Sequence, residues 1–317
     1  MKRMPRVGKL ILLLLVLALL ACGALLAARK VYSMYSGLSK KMDYANSLIY
    51  TIDEDVRNIR QTLSAEFSYG EFDYSWADAH HLVAHGFGGI DGFTYTNSLE
   101  AFAHNYALGH RVFEVDFDIV PDTFTMIASH GDSMWREQAG LDESVAYTHD
   151  NFMSSRIYGQ YTPLDVSGVI DLMVEYPDIY IVTDTKHRDK ASVYLQFSQL
   201  VKCAQAKDPS VLDRIIPQIY NENMLGWVMS AHPFKSVIYT IYAAGSNPRT
   251  TRDFCARSGI RFLTAPAEWI NPDTVGAWKE LGITIAAHTV NDPQQAMQFA
   301  ELGVDVLYTD TMIPGDF

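Results

Sequence analysis

Along Val112-Phe113-Glu114-Val115-Asp116-Phe117-Asp118 an acidic residue falls at every second position of an otherwise apolar run. In an extended strand residues i and i+2 share a face, so Glu114 and Asp116 point the same way. Carboxylates held side by side in apolar surroundings repel one another and lose hydration. A bound cation is the simplest compensation; protonation of one acid, or an arginine partner, is the plain alternative. Thr183-Asp184-Thr185-Lys186 repeats the spacing and adds a third carboxylate and an ammonium group. That pair suits a metal with an anionic substrate, or else a structural salt bridge between strands. His85, in Val83-Ala84-His85-Gly86, and His130, in Ser129-His130-Gly131-Asp132, each end a β-rich run. A lone histidine is more often structural than catalytic, but two beside three carboxylates form a constellation, and imidazoles titrate where acid–base catalysis needs them. Three carboxylates favour a hard cation, Mg²⁺ or Ca²⁺, over zinc.

Such a constellation needs a scaffold that brings strand ends together. Short β-rich runs recur at Leu82–His85, Val112–Ile119, Tyr180–Lys186, Arg214–Tyr220, Ser236–Tyr242, Arg261–Ala265, Ile283–His288 and Val304–Thr309. The segments between them carry helix formers and caps, such as Asn97-Ser98-Leu99-Glu100 and Asp292-Pro293-Gln294, with Pro293 placed as a first-turn proline. Strands alternating with helices in this way predict an α/β fold, a (β/α)8 TIM barrel, whose active site lies at the C-terminal ends of its strands. A doubly wound sheet is the rival, weakened because no Gly-rich dinucleotide or phosphate-loop fingerprint follows any strand. The stretch from Met134 to Pro163 fits no simple crossover and is expected to extend over the barrel mouth as part of the substrate wall.

The chain has 317 residues, 48% apolar and 20% charged, so it can bury a sizeable core and is not a disordered, collagenous or coiled-coil array. Its 25 basic and 37 acidic residues give a net charge of −12 with no basic stripe, which speaks against a nucleic-acid partner. Cys22, Cys203 and Cys255 are too few for a disulfide scaffold and lack zinc-ligand spacing. Lys2, Arg3, Arg6 and Lys9 precede an uncharged run from Leu10 to Ala28 that Arg29 and Lys30 close. At about 1.5 Å per residue this run nearly covers a hydrocarbon core of roughly 30 Å. It predicts a transmembrane helix over 1–30 that anchors the protein in the cell membrane as a single-pass protein with its body extracytoplasmic. A cleaved signal peptide is one rival, and Leu19-Leu20-Ala21-Cys22, which resembles a lipobox, is another. Residues 31–77 read as a helical linker, in which Ala45, Ile49, Ile52, Val56, Ile59 and Leu63 make an a/d seam. The seam either pairs two chains in a homodimer through 45–63 or packs on the domain's own surface. Tyr69 to Trp76 reads as a connector, and 78–317 as the barrel.

Taken in order, His85-Gly86, Asn97-Ser98, Glu114-Val115-Asp116, His130-Gly131-Asp132, Asp184-Thr185-Lys186 and Thr309-Asp310 with Pro314 form a series. It resembles the glycerophosphodiester phosphodiesterase family of the superfamily that includes phosphatidylinositol-specific phospholipase C. That family reads His-Arg-Gly, Glu-Asn-Thr, Glu-x-Asp, His-Asp, Glu-x-Lys and Thr-Asp-x-Pro, and the ordered matches run from His81 to Pro314. The resemblance implies a TIM barrel with one divalent cation, Ca²⁺ or Mg²⁺, on Glu114, Asp116 and Asp184. It implies His85 and His130 as the acid–base pair and Lys186 as a phosphate contact. The substrate would be a small-molecule or lipid phosphodiester, attacked by an adjacent hydroxyl to give a cyclic phosphate. Three positions depart from the pattern. Gly86 stands where the family has arginine, removing a bidentate phosphate donor. Asp184 stands where it has glutamate, as in the related spider-type sphingomyelinase D enzymes. His288, in Ala287-His288-Thr289, stands where an aromatic residue is expected; it either contacts substrate or fills the mouth. The alternatives are a sphingomyelinase D-like phospholipid lyase, a noncatalytic barrel that binds an envelope polymer, and a binuclear metal amidohydrolase, whose His-x-His on the first strand is lacking in Leu82-Val83-Ala84-His85.

Overall fold

The computed structural model describes residues 69, 71–242 and 248–317. The expected membrane anchor over 1–30, with Cys22, and the seam over 45–63 lie outside the described residues. Among the described residues no helix is long and apolar enough to cross a membrane.

The chain enters through a short helix α1 (Ser75–Ala79) and then alternates strand and helix: β1 (Leu82–Ala84), α2 (Leu99–Ala107), β2 (Val112–Ile119) and β3 (Met126–Ala128). There follow α3 (Asp132–Ala139), α4 (His149–Ser154), α5 (Val166–Glu175), β4 (Tyr180–Asp184), α6 (Lys190–Lys207), β5 (Ile215–Ile219) and α7 (Glu222–Ala231). The last elements are β6 (Ile238–Thr240), α8 (Pro248–Ser258), β7 (Phe262–Pro266), α9 (Pro272–Lys279), β8 (Thr284–His288), α10 (Pro293–Leu302) and β9 (Val306–Thr309).

Eight of the strands are parallel neighbours in the order β1-β9-β8-β7-β6-β5-β4-β2, and β2 pairs back onto β1, so the sheet closes into a barrel. Closure removes both sheet edges and excludes the doubly wound alternative. These eight are the runs that the sequence marks as barrel strands. β3 stands outside the ring, antiparallel to the end of β2.

The helices begin where side-chain acceptors satisfy free backbone N–H groups. Ser98 caps α2, Asp165 caps α5 and Asp292 caps α10, where Pro293 occupies the first turn as expected. In α5, Val166, Val169, Ile170 and Met173 fall on one stripe and are buried. The core between helices and strands is thus built from alternate strand residues and one face of each helix.

The other strand face fills the barrel. Val83, Val112, Val182, Ile216, Ile238, Phe262, Ala286 and Val306 form one apolar layer, a residue from each strand. Trp76 of α1 closes that layer from below. It is 3% exposed, stacks on Phe262 at 5.1 Å and donates from Nε1 to Ser236 Oγ at 3.1 Å. The stretch read as a connector therefore contributes the floor of the barrel.

The segment after β3 folds as a small layer of its own around Val120, Ile127, Trp135 and Phe152, with α3 and α4 on it. An extension is expected over residues 134–163, but none of them lines the cavity at the barrel mouth: the segment packs onto its own small core and is not the expected substrate wall.

Candidate active site

Two residues beyond the apolar layer, the inward positions turn polar. Val83 is followed by His85, Val112 by Glu114 and Asp116, Val182 by Asp184, Ile216 by Gln218, Ala286 by His288, and Val306 by Tyr308 and Asp310. Strand periodicity puts each of these on the inner face at the C-terminal end. Register then decides which of them meet. Asp116 and Asp184 are direct partners across β2 and β4, and Ala84 pairs with Thr309, which sets His85 beside Asp310.

Glu114, Asp116 and Asp184 each offer an oxygen within 4.8 Å of the others, and all three are buried. Lys186 follows the end of β4, and its Nζ lies 2.5 Å from Asp116 Oδ1 and 2.7 Å from Asp184 Oδ2. The interstrand salt bridge weighed from the sequence is therefore present, made by lysine and not arginine. One ammonium does not satisfy three carboxylates. Glu114 Oε1 and Asp184 Oδ1 are buried without a hydrogen-bond partner. Burial and the neighbouring Asp116 charge push the Glu114 carboxyl well above the ordinary carboxylate range. Asp184 is also raised, by burial ahead of the opposing pull of Lys186. Asp116 goes the other way: burial would raise it, but Lys186, His85 and His130 hold it down. Surplus negative charge and orphaned oxygens at one point fit a divalent cation, and an all-oxygen donor set suits a hard one.

His85 begins a short 3-10 turn after β1, and its Nδ1 is 2.9 Å from Asp310 Oδ1. Burial by itself would lower this imidazole; the Asp310 hydrogen bond and the charges of Glu114, Asp116 and Asp310 outweigh it and raise His85 to about 9. His130, beyond β3, is exposed, and the Tyr95 ring stands 4.4 Å from that of His85 and 5.6 Å from that of His130. His85, Glu114, His130, Asp184, Lys186 and His288 line one cavity of about 190 Å³, with Tyr95, Gln218, Tyr242, Thr289 and Tyr308. Asp116, fully buried, joins them through Lys186. All seven residues singled out from the sequence thus gather at one end of the barrel. His288 is a neutral wall residue: burial, with His85 and Lys186 nearby, lowers it to about 4.

Two asparagines clamp the acids. Asn97 accepts from the Asp116 backbone N–H at 3.0 Å and donates to Asp116 Oδ2 at 2.8 Å. Asn291 does the same for Asp310, at 2.7 and 2.8 Å. Neither clamp, nor the pairing of Asp310 with His85, was read from the sequence. In the sequence Asn97-Ser98 marks a helix start and, with Thr309-Asp310, a motif match. Asp118, third in the alternating acidic run, is withdrawn from the triad. Its carboxylate accepts from Tyr147 at 2.9 Å and pairs with His187 at 2.8 Å, which fastens the extension to β2.

No family model and no curated protein matches the chain. Solved structures do. An Oleispira antarctica phosphodiesterase in complex with the product sn-glycerol-3-phosphate is 16% identical, covers 74% of this chain and 95% of its own, and superposes with a TM-score of 0.61. A glycerophosphodiester phosphodiesterase from Parabacteroides distasonis is 17% identical over 76% of this chain and 94% of its own, TM-score 0.58. One from Thermotoga maritima is 17% identical over 73% and 94%, TM-score 0.53. The chain shares the fold of these phosphodiesterases across nearly their whole length.

Proposed function

We propose that the protein is a divalent-metal-dependent phosphodiesterase that cleaves glycerophosphodiesters or related phospholipid and envelope phosphodiesters. One observation carries this reading: two carboxylates of a buried triad and two histidines border a single cavity, at the barrel end where such folds keep their chemistry. The phosphodiesterases that share the fold, one of them holding sn-glycerol-3-phosphate, supply the substrate class.

A Ca²⁺ or Mg²⁺ ion on Glu114, Asp116 and Asp184 would supply neutralisation of the charge that grows on the nonbridging phosphate oxygens. The chain's own residues do the rest. Lys186, pinned between Asp116 and Asp184, presents fixed positive charge to the anionic substrate. Asp310 holds the Nδ1 side of His85 and keeps the ring protonated, leaving Nε2–H to protonate the departing alkoxide. His130 accepts the proton of the attacking hydroxyl. Attack by a hydroxyl adjacent to the phosphate on the substrate gives a cyclic phosphate. His288 and Lys186 bound the space for the substrate. In this reading the barrel is tethered to the cell membrane by the apolar run 10–28, with its body outside, and the seam over 45–63 pairs two chains.

The test is a panel of glycerophosphodiesters and lysophospholipids, assayed with Mg²⁺, with Ca²⁺ and with chelator, with product masses recorded. Chelator-sensitive release of a phosphomonoester or cyclic phosphate is expected. Absence of cleavage with either ion removes the assignment, and a cyclic product as the sole end point selects the lyase form.

A further inference from the structure

Tyr95 stands edge-on to both histidines, with interplanar angles of 79° to His85 and 85° to His130. It borders the same cavity, yet among the described residues its hydroxyl has no protein hydrogen-bond partner. Its backbone is set at φ +57°, a region that a tyrosine rarely enters without support. The support is visible. Gln138 Nε2 of α3 donates to the Tyr95 carbonyl at 2.9 Å. Nearby, Phe93 stacks on Tyr158 at 4.1 Å and Asp91 accepts from Tyr161 at 2.9 Å. The extension after β3 therefore holds the loop in the conformation that brings Tyr95 to the cavity. Gly86 belongs to the same arrangement: a Cβ there would lie 3.0 Å from Tyr95 Cα, at a φ of +56°. A side chain directly after His85 would crowd the Tyr95 backbone and hold a strained φ.

Several other donors around the cavity are committed. Lys186 serves Asp116 and Asp184, the Tyr308 hydroxyl donates to Gln218 Oε1 at 3.1 Å, and His85 Nδ1 is held by Asp310. Gly86 offers no side chain. The Tyr95 hydroxyl is a neutral donor without a partner among the described residues, on a ring that stands edge-on to both histidines. We propose that Tyr95 is a further catalytic residue, whose hydroxyl donates a hydrogen bond to a nonbridging oxygen of the substrate phosphate between His85 and His130. The proposal rests on the phosphodiesterase reading above. Burial, with Asp310, Asp116 and Glu114 close by, pushes the phenol up to about 12, so it stays a donor across the working range of pH. A donor aimed at an oxygen that gains charge during the reaction lowers the barrier directly. The rival role is packing, with the ring acting as a wedge between the imidazoles.

Tyr95→Phe keeps the ring and removes the hydroxyl; Tyr95→Ala removes both. Two readouts on the metal-loaded full chain separate the roles: kcat/KM on a cleaved glycerophosphodiester with its pH profile, and the Kd for inorganic phosphate by titration calorimetry. Tyr95→Phe is expected to lower kcat/KM by about 10- to 100-fold and to weaken phosphate binding about tenfold, with the pH profile unmoved. Tyr95→Ala is expected to lose more and to shift the profile, because the histidines lose their spacer. A Tyr95→Phe protein within twofold of the parent overturns the proposal and leaves packing as the role. Should the parent cleave no diester at all, the phosphodiesterase reading falls and the phosphate titration decides alone. Weaker binding in Tyr95→Phe then keeps the contact; equal affinity, or none in the parent, removes it.

Discussion

The floor and the mouth of this barrel are made by the same eight strands, two residues apart, and they have opposite character. At the floor, Val83, Val112, Val182, Ile216, Ile238, Phe262, Ala286 and Val306 pack on Trp76, whose indole N–H is satisfied by Ser236. At the mouth, Glu114 and Asp184 keep oxygens without partners, and His85 and Glu114 are shifted far from their ordinary titration. One layer spends nothing on function and closes the fold; the other is electrostatically strained and held in place by it. The difference teaches that burial serves two ends here. At the floor it removes apolar surface from water, and at the mouth it raises the strength of every charge interaction.

Changes at the mouth should cost activity and spare the fold, and changes at the floor should do the reverse. The largest effect is expected from Glu114→Ala, which should lower metal-dependent turnover by at least about a thousandfold, the upper end for loss of an electrostatic stabiliser. Thermal unfolding should hold or improve, since a buried unpaired acid is gone; unchanged turnover would falsify the role of the triad. At the floor, Trp76→Ala should destabilise by about 3–5 kcal/mol, measured by chemical denaturation. Turnover per folded molecule should be retained, and an equal loss of turnover would mean that the two layers are not separable. His85→Ala and His130→Ala should each cost at least roughly a hundredfold in kcat, with circular dichroism unchanged. A variant that keeps near-normal rates acquits its histidine.

The smallest effect concerns pH. His85 is raised from about 6.5 in the unfolded chain to about 9 in the fold. Its contribution to stability is therefore complete below about pH 6.5 and is lost as pH rises through about 9. Chelated protein should lose on the order of 2 kcal/mol of unfolding free energy between those limits. Asp310→Asn should flatten that part of the slope, and identical profiles for parent and variant would break the link between Asp310 and His85.

Much of this architecture was legible locally. The eight runs that alternate with capped helices correspond to the eight barrel strands, because strand and helix periods are written in neighbouring residues. The Glu114/Asp116 pair was legible for the same reason, since two carboxylates on one strand face is a statement about adjacent positions. Trp76 was not. Its stretch is aromatic and acidic and carries no periodicity, and only its stacking on Phe262, far along the chain, shows it to be core. Asp118 misleads by the same logic, since it shares the alternation with Glu114 and Asp116 but is drawn off by His187 and Tyr147.

By itself the sequence determined the inward face of each strand and the order of its chemical residues, because backbone geometry alternates side chains with a period of two. Which of those residues touch was decided by closure of the sheet. The register of β1 on β9 brings Asp310 to His85 across 225 positions, and the register of β4 on β2 sets Asp184 against Asp116. The loop after β1 and the extension after β3 then bring Tyr95 between the histidines. Contacts of that range depend on how distant segments pack together, and no local pattern encodes them.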